Sequence, residues 1–166
     1  MSEMTPRLFL PLLQAGQAQK EAVHNEALTV LDAIVAGAVE SVGDNMPPSA
    51  PVAGQAWIVG AMPSGDWAGQ TGTVAIWTAG GWRFVPAREG MVFRDRASGL
   101  QIQRGGAAWS DGAITATSLV IGGNQIIGAR LSGISEPGGG STVDTEARLA
   151  LGAVIVALKT HGLISS

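Results

Sequence analysis

All five tryptophans of this chain, Trp57, Trp67, Trp77, Trp82 and Trp109, fall between residues 57 and 109, each within three residues of a glycine. Large flat rings separated by tight turns leave little choice of fold. Gly supplies the positive φ that hairpin turns need, and short apolar runs between such turns read as strands. Six runs follow the pattern: QAWIVG, TVAIWT, WRFVPA, GMVFRD, LQIQRG and AAWSDG. TAGGW at 78–82 and RGGAAW at 104–109 share a grammar of strand, Gly pair, and Trp opening the next strand. Residues 44–112 are therefore expected to form a Trp-rich antiparallel β module. Its rings have two uses open to them. They are the core of a sheet too small to fill itself otherwise, or they are a platform for a sugar or a partner. For the second use Asp66, Trp67, Trp77 and Trp82 are the candidate contacts, with Trp67 foremost because it lies in a Gly-Asp-Trp-Ala-Gly loop.

Elsewhere the pattern is helical. Residues 17–43 carry apolar side chains at Leu28, Leu31, Val35, Ala38 and Val42, in steps of three and four. That is the seam of a coiled coil or tight bundle. Lys20, Glu21, Glu26 and Asp32 are expected on the wet side. The Pro-rich GDNMPPSAPVAG at 43–54 reads as a module boundary. LVIG and QIIGAR, joined around Gly122, Gly123 and Asn124, make residues 113–135 a hairpin. After a Gly-rich joint, residues 136–166 hold a second helix, with Thr142 as N-cap and Asp144 and Glu146 in the first turn. Ala147, Leu151, Val154 and Leu158 form its seam, and Leu149, Ile155 and Val156 make it apolar nearly all round. Such a helix is expected to be buried on most sides. Gly162 follows at a left-handed stop, with Leu163 folding back on Leu158. Residues 1–16, with Pro6, Pro11 and Gly16, read as an extended arm whose Leu8, Phe9, Leu10, Leu12 and Leu13 seek cover. The fold class is α+β.

Only 14% of the residues are charged, against roughly 25% in an average soluble domain. Together with the apolar helices, this points to a surface covered by other subunits. Leu28, Leu31, Val35, Val42, Leu151, Val154 and Leu158 are the expected oligomer contacts. A net charge of −3 argues against nucleic acid, whose binding rests on Lys and Arg neutralising phosphates. The chain has no Cys, which excludes thiolate catalysis and Cys-based metal sites. The N-terminus opens acidic and its apolar run is broken by Pro11, so no signal peptide is expected. No apolar run approaches the ~18 residues of a membrane span.

No catalytic constellation emerges. His24 lacks a second ligand at metal spacing and reads as a packed or capping side chain, and His161 as a helix C-terminal cation. Asp66, Glu89, Asp95 and Asp111 are the acids available for glycoside hydrolysis, but all sit at turn-like positions. Ser64-Gly65 and Ser98-Gly99 lack the pattern of a nucleophile elbow. Gly138-Gly139-Gly140 lacks the Lys and the preceding strand of a phosphate loop. No catalytic residue, metal or cofactor is assigned.

Three stretches together carry a resemblance: PRLFLPLLQAGQAQKEAVHNEALTVLDAIV, GQAWIVGAMPSGDWAGQTGTVAIWTAGGWRF and the tail IIGARLSGISEPGGGSTVDTEARLALGAVIVALKTHGLI. They resemble a domain-of-unknown-function family of alphaproteobacterial prophage and gene transfer agent particle proteins. AGQAQKEAVHNEAL at 15–28 is the most specific of these signatures. The hairpin MVFRDRASGLQIQRGGAAW is longer than the family pattern. The resemblance implies a structural component at the surface of a phage-like particle, such as a head spike or a tail or fibre base. Its partners would be copies of itself, a capsid or tail neighbour, a spike or fibre protein and, since related fibre proteins contact it, capsular polysaccharide.

Overall fold

The computed structural model describes residues 4–14, 16, 20–110, 112–141 and 144–165. The chain divides into two compact units, Met1–Ala113 and Ile114–Ser166. The first holds helix α1 (Lys20–Val35) and strands β1 (Ala38–Val39), β2 (Val42–Asp44), β3 (Ala56–Val59), β4 (Val74–Thr78), β5 (Gly81–Val85), β6 (Val92–Asp95) and β7 (Gln101–Gln103). The second holds strands β8 (Leu119–Ile121) and β9 (Asn124–Ile127) and helix α2 (Thr145–Thr160). An α+β chain with one helix before and one after a small β module in sequence is what the patterning implied.

In the first unit β2-β3-β4-β5 form one sheet and β1-β6-β7 another. Strands β3, β4 and β5 are an antiparallel meander, while β2 joins β3, and β1 joins β6, in parallel. Alternation along the meander sorts its residues onto two faces. Ala56, Ile58, Val74 and Ile76 join Ala33 of α1, Val39, Phe93 and Ile102 in one core. Trp57, Val59 and Ala75 point to the other face, where Trp67, Trp77, Trp82 and Phe84 gather. A short 3-10 turn, Gly65–Trp67, brings Trp67 onto that face.

Helix α1 is shorter than its periodicity suggested. It stops at Val35, and Gly37 takes a left-handed φ of 62°. The Gly37 carbonyl accepts from Arg94 N at 2.7 Å, which starts the pairing of β1 with β6. Ala38 and Val42 continue the three-four spacing but sit in strands, because an apolar residue every few positions suits a buried strand as well as a helix. Val42 is thus no helical oligomer contact; it packs against the first core from β2. Residues 17–19 of the expected helix lie outside the described residues.

The Pro-rich segment 43–54 is no boundary. Arm, helix and meander share one unit, and Asn45 within the segment ties down the loop before the 3-10 turn through Met62 N and Ser64 N, both at 2.8 Å. In β4–β5 the turn residues are Ala79 and Gly80, and Gly81, which pairs with Thr78, carries the positive φ of 96°. The described residues of AAWSDG form no strand. Only Trp109 makes an isolated bridge, to Arg104.

In the second unit Gly122 and Gly123, with φ of 57° and 82°, make the two-residue turn between β8 and β9. Positive φ at both positions is the signature of the hairpin turn whose twist matches the strands. The N-cap of α2 is Asp144, whose side chain accepts from Ala147 N at 2.9 Å. Thr142, the expected cap, lies outside the described residues. The C-terminal stop is as read. Gly162 has a φ of 72°. Leu163 N donates to Leu158 O, and Gly162 N to Lys159 O, both at 3.0 Å. This pair of bonds satisfies carbonyls the helix end would otherwise leave open. Beyond it, Leu131 bridges Ile164 in parallel, and Arg130 Nε donates to Ile164 O at 3.0 Å. No helix among the described residues is long and apolar enough to cross a membrane.

Candidate functional site

The tryptophan face is the first place to test. Trp67 is fully buried, and Trp57 is 6% exposed. Trp77, Trp82 and Phe84 are half-buried around them. The rings meet edge-on or tilted. Trp67 and Trp82 lie 5.3 Å apart at 80°, Trp57 and Trp82 5.5 Å apart at 71°, and Trp77 and Trp82 5.0 Å apart at 67°. Edge-to-face packing at these separations is how aromatic rings satisfy their own quadrupoles in a core. A sugar platform needs exposed, coplanar rings, and the cluster supplies neither. Trp67, foremost among the expected contacts, is its most buried member, while Asp66 beside it is exposed. Loop composition misled here: a 3-10 turn exposes Asp66 and tucks the next residue inward. Trp109 serves the other core, against Phe93 at 5.7 Å, with its Nε1 donating to Gly72 O at 2.9 Å.

The acids divide in the same way. Asp95 is buried and accepts from Ala97 N, Ser98 N and Ser98 Oγ, so it shapes a turn. Glu89 is exposed, and Asp111 lies outside the described residues. Among the described residues no three His, Cys, Asp or Glu side chains form a metal-holding group. His24 is exposed rather than packed, and His161 is the C-cap residue of α2.

Two acids expected on the wet side of α1 do the opposite. Asp32 is fully buried. It accepts from Thr5 Oγ1 at 2.8 Å, Arg7 N at 2.9 Å and Leu8 N at 2.7 Å, clasping the arm onto the helix. Asn25 holds the arm further along, accepting from Leu13 N and donating to Leu13 O. Arg7 then threads inward, donating to Gly54 O at 2.5 Å and Ala38 O at 2.6 Å. Glu40 lies 3.9 Å from Arg7 and 2.9 Å from Arg96. Burial pushes the Arg7 guanidinium below its usual range, and the Glu40 charge works against that shift. Gly54 has a φ of 86°, and a Cβ there would meet Pro6 Cβ at 2.6 Å, so the arm needs a glycine at this point. Glu26 also turns inward, pairing with Arg83 at 2.6 Å and accepting from Thr78 Oγ1 at 2.9 Å. Asp32 was missed although a signal exists: it is a lone acid in the apolar run LTVLDAIVA. Arg7 is likewise the only charge between residues 4 and 19.

With its carboxylates inward, α1 leaves apolar residues outward. Val23, Leu31 and Val35 are 76%, 53% and 70% exposed. They step by four with Ala27, also exposed. Of the expected contacts on this helix, Leu31 and Val35 lie on that face and Leu28 is half-buried. Helix α2 is more open still. Its one buried apolar side chain is Ile155, and Leu149, Leu151, Val154 and Val156 are 70%, 52%, 55% and 56% exposed. Within the single chain, the expectation that α2 is buried on most sides fails. Leu158 is half-buried.

A comparison with curated proteins finds no match. The family profile described as protein of unknown function (DUF2793) matches residues 24–110, from the body of α1 through the Trp109 bridge. That is the larger part of the chain and includes all of β1–β7, so the chain belongs to the DUF2793 family.

Proposed function

We propose that this chain is a non-enzymatic structural component of a phage-like particle, a gene transfer agent head spike or the base of a tail or fibre. In this reading it assembles as a homo-oligomer and joins the particle to a receptor-binding fibre. The observation that carries the reading is the exposed apolar face that each helix shows within its own unit, Leu31 and Val35 on α1 and Leu151 and Val154 on α2. Contiguous exposed apolar residues mark protein contacts, and repeated copies of one subunit are the simplest source of them. The low charge of the chain and its sequence resemblance to particle proteins support the same reading. A platform role toward capsular polysaccharide has less support, because the tryptophan rings are spent on one another. Immunogold localisation on purified particles tests the proposal. Label at a particle vertex or tail is expected; a protein left entirely in the particle-free fraction contradicts it.

A further inference from the structure

Beside α2 runs an open groove of about 430 Å³, walled by Glu136 and Pro137 and floored by Leu149, Gly152, Ala153 and Val156. The floor residues follow the i, i+3, i+4, i+7 spacing of one helix face. On that face apolar and small residues match, and charges oppose, about the Gly152–Ala153 peptide, with Arg148 against Ala157 as the exception. Leu149 mirrors Val156, Thr145 mirrors Thr160, and acidic Glu146 mirrors basic Lys159. We propose that this groove receives the α2 helix of a second copy of the chain, antiparallel to the first and crossing it at Gly152 and Ala153.

Three observations choose this occupant. The pseudo-palindrome makes the face complementary to itself, as a two-fold interface requires. Leu149 then meets Val156 of the copy at each end, and the smallest side chains meet where the backbones come closest. Charge selects the direction. Antiparallel packing brings the acidic first turn, Asp144 and Glu146, to the level of the copy's Lys159. Parallel packing would set like charges and like helix-dipole ends side by side. Arg148, at the rim of the groove, is turned onto the Gly139 carbonyl of its own chain. Finally, the second unit needs cover. Among its described residues only Ile155 and Ile164 are buried apolar side chains, too few to offset the ordering of a segment this long. The proposal rests on the self-assembling reading above. It adds the face, the direction and the crossing point, on the side of the helix away from Leu151, Val154 and Leu158.

The chain has no Cys, so engineered thiols are its only ones. Full-length Leu149→Cys and Val156→Cys chains, mixed and oxidised, are expected to yield chiefly the mixed 149–156 disulfide dimer. Predominance of 149–149 and 156–156 dimers overturns the antiparallel arrangement while leaving self-assembly standing. A chain that stays monomeric by sedimentation at 100 µM, with no disulfide dimer of any kind, overturns the inference, and localisation on particles then judges the assembly reading separately. Gly152→Leu gives a second arm. A Cβ at Gly152 meets nothing within 4 Å, so helix content should be kept while self-association weakens at least tenfold. Unchanged association in this variant counts against a crossing at Gly152.

Discussion

The two units of this chain are built from similar residues in opposite ways. Met1–Ala113 buries twelve apolar residues among those described, whereas Ile114–Ser166, nearly half its length, buries two. Yet among the described residues the second unit exposes thirteen large apolar side chains, against twelve in the first. The first unit builds a core on each face of its meander, and its helix turns Glu26 and Asp32 inward while Val23, Leu31 and Val35 stay exposed. The second has a hairpin and a helix with sound local chemistry, a two-glycine turn, an Asp cap and a glycine stop, but among its described residues only Ile155 and Ile164 as buried apolar side chains. Local signals specify elements; burial of apolar area stabilises them. A unit with the first and without the second is half of an interface. The family match ends at residue 110, inside the self-sufficient unit.

The largest expected effect that sharpens this contrast is Trp67→Ala. It removes a fully buried ring that packs against Trp57 and Trp82, and the loss should be about 3–5 kcal/mol, read as a lower denaturation midpoint by tryptophan fluorescence. A loss below about 1 kcal/mol would mean that the aromatic face is not a core. Next comes Asp32→Ala, which strips three hydrogen bonds from the arm. About 2–4 kcal/mol should go, and limited proteolysis should newly cut the arm between residues 5 and 13. Glu26→Gln is milder. Arg83 is 40% exposed, so screening limits the pair to about 1 kcal/mol or less, and high salt should shrink the difference from the parent. Smallest for the fold, within about 0.5 kcal/mol, is Leu151→Ala with Val154→Ala. Their effect should appear instead as weaker self-association by light scattering. A pair of substitutions that melted the first unit would break the division between the two.

Much of this was legible in the residues. The meander, the Gly122-Gly123 hairpin and the stop at Gly162 follow from turn chemistry, which is local. The Trp-rich segment was readable as a small sheet for the same reason. What escaped was partnership. Asp32 and Glu26 looked solvated because a carboxylate is solvated unless something distant donates to it, and the donors, Thr5, Arg7, Thr78 and Arg83, lie far along the chain. Val42 kept a helical spacing into a strand because spacing does not record what Gly37 does to the backbone. Trp67 was the foremost platform candidate because a loop's composition does not say which way one ring points. The candidate association surface was half legible. Leu31, Val35, Leu151 and Val154, named from spacing as association contacts, are exposed in the single chain, but the groove face through Leu149, Gly152 and Val156 needed the structure.

The most direct test of the central claim is hydrogen exchange on the intact chain, followed by sedimentation across a dilution series. On dilution from a self-associated state, protection should fall across residues 114–165 while residues 24–110 hold theirs. A chain that sediments as a monomer throughout, with the α2 amides as protected as those of the meander, would contradict the account.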